Sequence, residues 1–152
     1  MKAVVSRVLS AAVTLRDGVA AGQRRATGPG LLILLGVGLA DDESAADKLV
    51  DKILDLRVFS NAAGKFDLSV RDARGEILLI SQFTLYAALK GGRRPDFAAA
   101  ARPERARPLY ERAAARLAAS GLTVKTGEFG ASMAVESVND GPVTIPVDTD
   151  LF

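Results

Sequence analysis

The segment from Leu31 to Val37 constrains the fold more than any other part of this chain, because it contains only leucine, isoleucine, valine and one glycine. In a strand with one solvent-exposed face, apolar and polar residues alternate. An unbroken apolar run instead predicts a strand that is buried on both faces. The segment from Glu76 to Gln82 is a second strongly apolar strand. We therefore expect a sheet whose central part lies deep in the core.

Several further segments are typical of β-strands joined by tight turns. Val4 to Leu15 is rich in valine and alternates loosely, which predicts one long strand or two collinear ones. Asp17-Gly18 then supplies the residues of a hairpin turn, so Val19 to Arg25 is predicted to return as the partner strand. The other predicted strands are Arg57 to Ser60, Leu122 to Thr126, Met133 to Val138 and Val143 to Val147.

Two segments have the three-to-four-residue spacing of amphipathic helices. The first has Asp41 or Asp42 as its N-cap and runs to Leu54, with acidic residues at its N-terminus. The second lies within Pro103 to Ala119, and Pro108 predicts either a kink or the start of its regular part. Many strands with only two helices predict an α/β (α+β-like) fold. We expect a curled, barrel-like mixed β-sheet with the two helices packed on it, in a single domain over residues 1–152.

The 152 residues include no histidine and no cysteine. Neither a Ser/His/Asp triad nor a Cys/His pair can be assembled, and a zinc site built on imidazole or thiolate is excluded. Chemistry must come from hydroxyls, carboxylates, backbone amides or the substrate, so we expect no cofactor and no metal. The longest apolar stretch, Leu31 to Leu39, is too short to span a bilayer, and Arg7 interrupts the apolar N-terminus. These features predict a cytoplasmic protein with no membrane partner.

The net charge of +2 permits a polyanionic partner without requiring one. Arginines nevertheless gather in three groups. The group in the second predicted helix has an ordinary interpretation as a solvated helix face. The groups are Arg24-Arg25, Arg93-Arg94, and the helical set Arg102, Arg105, Arg107, Arg112 and Arg116.

Ser81-Gln82-Phe83-Thr84 lies where the apolar strand at residues 77–80 ends. Backbone amides at a strand end are not all committed to the sheet, so they can point at a ligand as an oxyanion hole requires. Hydroxyls at positions 81 and 84 and the amide of Gln82 add donors and acceptors around one point. The alternative interpretation is a strand end whose serine and threonine cap the following turn.

Asn139-Asp140-Gly141-Pro142 has the composition of a turn between two strands, and that is its plain interpretation. A glycine–proline pair at a loop tip also presents carbonyl oxygens, which are acceptors suited to an ammonium group. The sequence leaves the isomer of the Gly141–Pro142 peptide open.

Together, Ser81-Gln82-Phe83-Thr84-Leu85 and Asn139-Asp140-Gly141-Pro142-Val143-Thr144 resemble the signature pair of the D-aminoacyl-tRNA deacylases of the bacterial and eukaryotic type. The resemblance covers essentially the whole chain. It implies a homodimer that binds the 3′-terminal adenosine of a D-aminoacyl-tRNA and hydrolyses its ester bond, with no DNA partner. The other segments that agree in order and spacing are Arg7-Val8, Leu31 to Gly36, Arg57 to Ser60, Arg94-Pro95 with Phe97, and Gly127 to Phe129 with Met133.

The resemblance also implies roles for single residues. The catalytic pocket for the aminoacylated adenosine is lined by Ser81, Gln82, Phe83 and Thr84. A cis Gly141–Pro142 peptide enters the pocket of the opposite subunit, and Arg7 holds that loop. The remaining substrate-binding residues are Asn139, Val143 and Thr144 in the loop and Phe129 and Met133 beside the adenosine. Arg93 and Arg94 are the residues that we expect to contact tRNA phosphates.

Two hydrolytic routes are compatible with the missing histidine. Thr84 acts as a nucleophile in one, which needs a carboxylate base. In the route that we favour, the free ribose hydroxyl beside the ester helps to activate water, and backbone amides near Phe83 and Thr84 stabilise the oxyanion. No spacing selects a base for the first route among Asp67, Asp96, Glu136 and Asp140.

Carbonyls of Gly141 and Pro142 on the substrate α-ammonium would make an L side chain collide with the loop and let a D side chain pass. Glycine has no side chain to collide, so slower cleavage of mischarged glycyl-tRNA(Ala) is expected. Two other functions stay open: a sister deacylase with a trans Gly-Pro element and relaxed chirality, and a non-catalytic module that binds RNA 3′ ends. Phe83 and the stretch Gly141 to Thr144 favour the D-selective enzyme.

Overall fold

A computed structural model describes all 152 residues. It contains a six-stranded mixed sheet, a two-stranded hairpin and two α-helices. Neither helix has the length and apolar composition that a membrane crossing requires. The strands are β1 (Lys2–Leu15), β2 (Arg24–Thr27), β3 (Gly30–Gly36), β4 (Phe59–Ser60), β5 (Phe66–Leu68), β6 (Glu76–Ser81), β7 (Val124–Thr126) and β8 (Met133–Asp148), and the helices are α1 (Glu43–Leu54) and α2 (Pro103–Ala118).

The strand order in the main sheet is β2-β1-β3-β6-β7, and β8 pairs with β1 along nearly its whole length. The pairs that involve β1 are antiparallel, whereas β3–β6 and β6–β7 are parallel. Strands β4 and β5 form the separate hairpin. The predicted mixed sheet with two packed helices is confirmed.

Strands β3 and β6 are buried on both faces, which explains their apolar runs. One face of each strand packs in the larger core with both helices, through residues such as Ile33 and Leu79. The other face packs in a smaller cluster, where Leu32 and Leu78 meet Val13 of β1. Each buried leucine or isoleucine stabilises the fold by about 1.5–3 kcal/mol relative to exposure. The two central strands therefore form a rigid support for the segments that follow them in the chain.

The helix boundaries follow from local chemistry. Asp42 caps α1, and its carboxylate accepts a hydrogen bond of 2.9 Å from the amide of Ala45. Helix α2 begins at Pro103 and continues through Pro108, so the interpretation that its regular part starts at Pro108 is wrong. Pro108 is exposed, and water can reach the carbonyl that the missing amide leaves unbonded.

One predicted strand boundary is also wrong, and one short strand is missing from the prediction. The return strand after the first turn begins at Arg24 and not at Val19, because the turn is wide. Within this turn, the backbone amides of Val19 and Ala20 donate to the Glu128 carboxylate at 2.9 and 3.1 Å. These two residues therefore bond to a side chain and not to a neighbouring strand. Strand β5 was not predicted, because three residues carry too little periodicity to detect.

Candidate active site

An open, mostly apolar pocket with a volume of about 550 Å³ lies beside the end of β6. This size is ordinary for a site that binds a small molecule or one nucleotide. One wall is the segment Ser81, Gln82 and Phe83. The facing walls come from the first turns of α2 and from the β7–β8 connection, which supplies Phe129, with Met133 at the start of β8.

The end of β6 leaves two backbone amides uncommitted. The Gln82 amide still donates to the Leu35 carbonyl at 2.7 Å, as the last bond to β3. Residues Phe83–Tyr86 then form one turn of 3-10 helix, in which Leu85 donates back to the Gln82 carbonyl at 3.3 Å. The amides of Phe83 and Thr84 donate to no group of the chain. They are therefore available to a ligand, as the strand-end interpretation requires.

The alternative interpretation of this segment, a turn capped by serine and threonine, is wrong. Gln82 occupies the cap position of the 3-10 turn, and no side chain makes a capping hydrogen bond there. The Thr84 hydroxyl instead accepts a hydrogen bond from the side-chain amide of Gln82. Thr84 is exposed and is not among the residues that line the pocket.

Two glycines, one at the end of β3 and one just after it, let the pocket segment pack closely. A Cβ on Gly36 would lie 2.9 Å from the Gln82 carbonyl oxygen, which is closer than real contacts allow. A Cβ on Gly38 would lie 2.6 Å from the Tyr86 ring. The 3-10 turn therefore sits directly on backbone, and its position is tied to the buried strand beneath it.

A buried carboxylate also anchors this turn. The Tyr86 hydroxyl donates to Asp41 Oδ2 at 3.0 Å, and the same carboxylate binds the α-ammonium of Met1 and the amide of Gly38, each at 2.6 Å. Burial, followed by the charge of Asp41, raises the pKa of Tyr86, so its hydroxyl stays a neutral donor. Sequence reasoning missed this anchor, because Asp41 was interpreted only as a helix cap.

Aromatic side chains form much of the remaining wall. Phe83 is 57% exposed and meets Phe97 edge-on, with 4.9 Å between ring centroids. On the other side, the Phe129 ring lies 5.7 Å from that of Tyr110, whose hydroxyl donates to the Leu79 carbonyl at 3.0 Å. Exposed aromatic faces beside an apolar cavity are suited to stacking on a nucleobase.

The second predicted segment is a bulge within one continuous strand, so its interpretation as a turn between two strands is wrong. Strand β8 pairs with β1 through Asn139 opposite Val8 and Thr144 opposite Ser6, which leaves residues 140–143 unpaired opposite Arg7. Asn139 spans the bulge, because its side chain accepts from the Val143 amide and donates to the Thr144 hydroxyl, both at 2.8 Å. The Gly141–Pro142 peptide in this bulge is cis, and both residues are exposed.

Arg7 is buried beneath this bulge, with only 8% of its surface exposed. Its Nε lies 2.9 Å from Asp140 Oδ2 and donates to the Asp140 carbonyl, and Nη1 donates to the Val58 carbonyl. The guanidinium also lies 5.3 Å from the centre of the Phe66 ring in the β4–β5 hairpin. Arg7 thus connects the bulge to Val58 and to the β4–β5 hairpin.

The single chain does not bring its two predicted segments together. No residue of the bulge, Asn139 to Thr144, lines the pocket, and neither does Arg7. Arg93 and Arg94 also lie outside it, exposed on a loop that an Ala88–Asp96 bridge closes. No group of three or more carboxylate, histidine or cysteine side chains lies close enough to share a metal ion.

Comparison with known proteins assigns the chain to a class. The family model described as D-Tyr-tRNA(Tyr) deacylase matches residues 4–148. A relative from Symbiobacterium thermophilum named D-aminoacyl-tRNA deacylase is 52% identical over 150 residues, which are 99% of this chain and 97% of that protein. These two matches identify the chain as a deacylase, which is a hydrolase of the aminoacyl ester bond. The chain belongs to the D-Tyr-tRNA(Tyr) deacylase family.

Two solved structures share the fold. A protein described as c-Myc DNA Unwinding Element Binding Protein matches with a TM-score of 0.88 and 42% identity, covering 97% of this chain and 98% of that one. A probable eukaryotic D-amino acid tRNA deacylase matches with a TM-score of 0.81 over 96% of this chain and 97% of its own. At 15% identity the latter shows the shared fold alone. The resemblance deduced from the two signature segments is confirmed.

Proposed function

We propose that this protein hydrolyses the ester that joins a D-amino acid to the 3′-terminal adenosine of tRNA, releasing free tRNA and the D-amino acid. Such a reaction removes the wrong enantiomer before protein synthesis in the cytoplasm. The observation that carries the proposal is the pair of uncommitted amides at Phe83 and Thr84, beside an apolar pocket with aromatic walls. Amides that are fixed before the reaction can stabilise the oxyanion that forms when the ester carbonyl is attacked.

The active unit in this proposal is a homodimer in which the bulge of one protomer enters the pocket of its partner. Gly141 and Pro142 are exposed and lie outside their own pocket, which supports a role for them elsewhere. Strand β8 pairs only with β1, so its outer edge is open to a second chain. Exposed apolar side chains on the same two strands, at Leu9, Val135 and Val138, give a second copy apolar surface to cover.

Substrate selection then depends on main-chain oxygens. Residues 140–143 have no partner in the β1 register, so the carbonyls of Gly141 and Pro142 are not committed to the sheet. They accept hydrogen bonds from the substrate α-ammonium, and this fixes where the other substituents of the α-carbon point. An L side chain meets the loop, whereas a D side chain of any kind projects away from it. Glycyl-tRNA(Ala) is admitted and cleaved more slowly.

Water is the attacking group in the route that we favour. The ribose hydroxyl next to the ester helps to activate it, the water oxygen bonds to the carbonyl carbon, and the ester oxygen leaves and takes up a proton. No carboxylate contacts Thr84, whose hydroxyl is engaged by Gln82. The candidate bases are bound elsewhere: Asp67 by Arg57, Asp96 by the Ala98 amide, Glu136 by Arg24 and Asp140 by Arg7.

Replacing Thr84 with alanine is expected to lower the single-turnover rate by less than about tenfold. The substitution removes one hydrogen bond, to Gln82, which is worth about 1 kcal/mol. The backbone amide at position 84 remains. Loss of a true nucleophile costs far more, on the order of 10⁶-fold. A rate that falls by about 1,000-fold or more, with tRNA binding intact, would show that the threonine hydroxyl attacks the ester.

The proposed activity is tested with tRNAs that carry the D or the L form of the same amino acid, together with glycyl-tRNA(Ala). We expect rapid ester loss from the D form, slower loss from the glycyl form, and an intact L form. Stable binding of all three without ester loss would identify an RNA 3′-end-binding module. Equal cleavage of the D and L forms would identify a deacylase with relaxed chirality.

A further inference from the structure

The arginines of α2 have different surroundings, and Arg105 donates to the Asp41 carbonyl at 3.0 Å. Arg112 binds both oxygens of Asp47 at 2.8 Å through Nε and Nη2, and its Nη1 lies 2.7 Å from Glu43. Arg116 binds both oxygens of Asp51, at 2.9 and 2.7 Å. All three carboxylates belong to α1. These two arginines therefore join the helices, and their charge is already balanced within the protomer.

Arg107 has no such partner. It is exposed, makes no ion pair and donates no hydrogen bond within the chain, and its guanidinium lies 5.3 Å from the centre of the Phe129 ring. Phe129 lines the pocket, so the cation is at the pocket's rim. Glu104 and Glu111 lie one turn before and after it on the helix, and neither forms an ion pair with it.

The carboxylate of Glu128 lies within electrostatic reach of both Arg107 and Arg25. The amides of Val19 and Ala20 bind the Glu128 carboxylate and hold its pKa below the ordinary value. Arg25, which also faces Glu128, donates to the Thr126 carbonyl at 2.7 Å. Arg107 is therefore the cation beside Phe129 whose N–H donors are free.

We propose that Arg107 binds the phosphate on the 5′ side of the terminal adenosine of the substrate. The inference rests on the proposed function, because it takes that adenosine to lie in the pocket beside Phe129. A guanidinium that lies over an aromatic ring is restricted in orientation and keeps its edge donors, which match two phosphate oxygens. In this arrangement the adenine base contacts the Phe129 ring, and the 5′ phosphate of the same nucleotide contacts Arg107.

The test compares two substrates that differ in this phosphate. One is a full D-aminoacyl-tRNA, and the other is 3′-D-aminoacyl-adenosine, which carries no phosphate. For Arg107→Ala we expect KM to rise about tenfold on the tRNA with kcat unchanged, and no change on the adenosine substrate. The slope of log affinity against log salt should become shallower by about 0.7, as for one phosphate contact in a single strand.

Two further variants serve as controls. Arg102→Ala removes another exposed arginine, at the N-cap of the same helix, without a contact to Phe129, and should leave KM on the tRNA unchanged. Arg107→Lys keeps the charge but not the planar fork, so it should retain the salt slope while recovering only part of the affinity.

Three results would overturn the assignment. Equal loss on both substrates would mean that Arg107 only positions Phe129. An unchanged KM of Arg107→Ala on the tRNA would mean that the guanidinium contacts no phosphate. An Arg102→Ala effect as large as that of Arg107→Ala would mean a diffuse positive field and no specific contact. If the unmodified enzyme cleaves neither substrate, the proposed function fails and this assignment fails with it.

Discussion

Replacing Gly141 with alanine is expected to slow deacylation of D-aminoacyl-tRNA by about 100-fold or more, while the protein stays folded. Gly141 has a φ of +124°, a conformation that residues with a side chain rarely adopt. The added Cβ would lie 2.8 Å from Val143 Cγ2 and 3.0 Å from Arg7 Nη2. The bulge must shift to relieve these contacts, and a displacement of about 1 Å in a positioning group can cost about 10²-fold in rate.

The measurement is a single-turnover rate with a D-aminoacyl-tRNA, accompanied by a thermal melt. Gly22→Ala is the matched control, because Gly22 also has a positive φ, of +84°, and a Cβ there would have nothing within 4 Å. It should cost some stability and leave the rate unchanged. If Gly141→Ala deacylates as fast as the control, the bulge does not select the substrate, and the cross-subunit proposal is wrong.

Replacing Gly30 with alanine is expected to destabilise the fold by about 3 kcal/mol or more. A Cβ on Gly30 would lie 1.9 Å from the backbone oxygen of Glu76 and 2.5 Å from its nitrogen. Gly30 and Glu76 are paired where β3 and β6 begin, so the strands must separate at that end. Overpacking against side chains costs about 1–3 kcal/mol, and backbone has less room to move.

The free energy of unfolding in urea measures this effect. Gly28→Ala is the matched control, because its Cβ would lie 3.9 Å from the Glu76 side chain, which is an ordinary contact. We expect Gly28→Ala to unfold close to the unmodified protein, and Gly30→Ala to have a much lower midpoint. Equal midpoints would mean that the parallel pair is not as close at this position as the structure shows.

Much of the fold was predictable because its strongest signals are local. The run from Leu31 to Val37 required burial on both faces, and the structure provides one apolar cluster on each side of β3. The errors occurred where a distant group replaced local pairing. Glu128 captures the amides at Val19 and Ala20, so the return strand starts later than predicted. Pairing with β1 on both sides of residues 140–143 makes one strand where two were predicted.

The site was predictable in part for the same reason. The position of residues 81–84 after an apolar strand indicated uncommitted amides, and the amides of Phe83 and Thr84 have no acceptor in the chain. The bond from Tyr86 to Asp41 joins residues 45 positions apart and has no repeating pattern, so sequence reasoning did not find it. The separation of Arg107 from its paired neighbours on α2 likewise depends on where α1 packs.

The two amides that the 3-10 turn leaves free have a genetic consequence. Any codon change at position 83 or 84 other than one to proline preserves the donor there, since every other amino acid has the same N–H group. Alanine scanning therefore does not remove these donors, and a mutational screen would pass over the two groups that we propose to stabilise the oxyanion. Exchange of the amide for an ester by chemical synthesis would delete them one at a time.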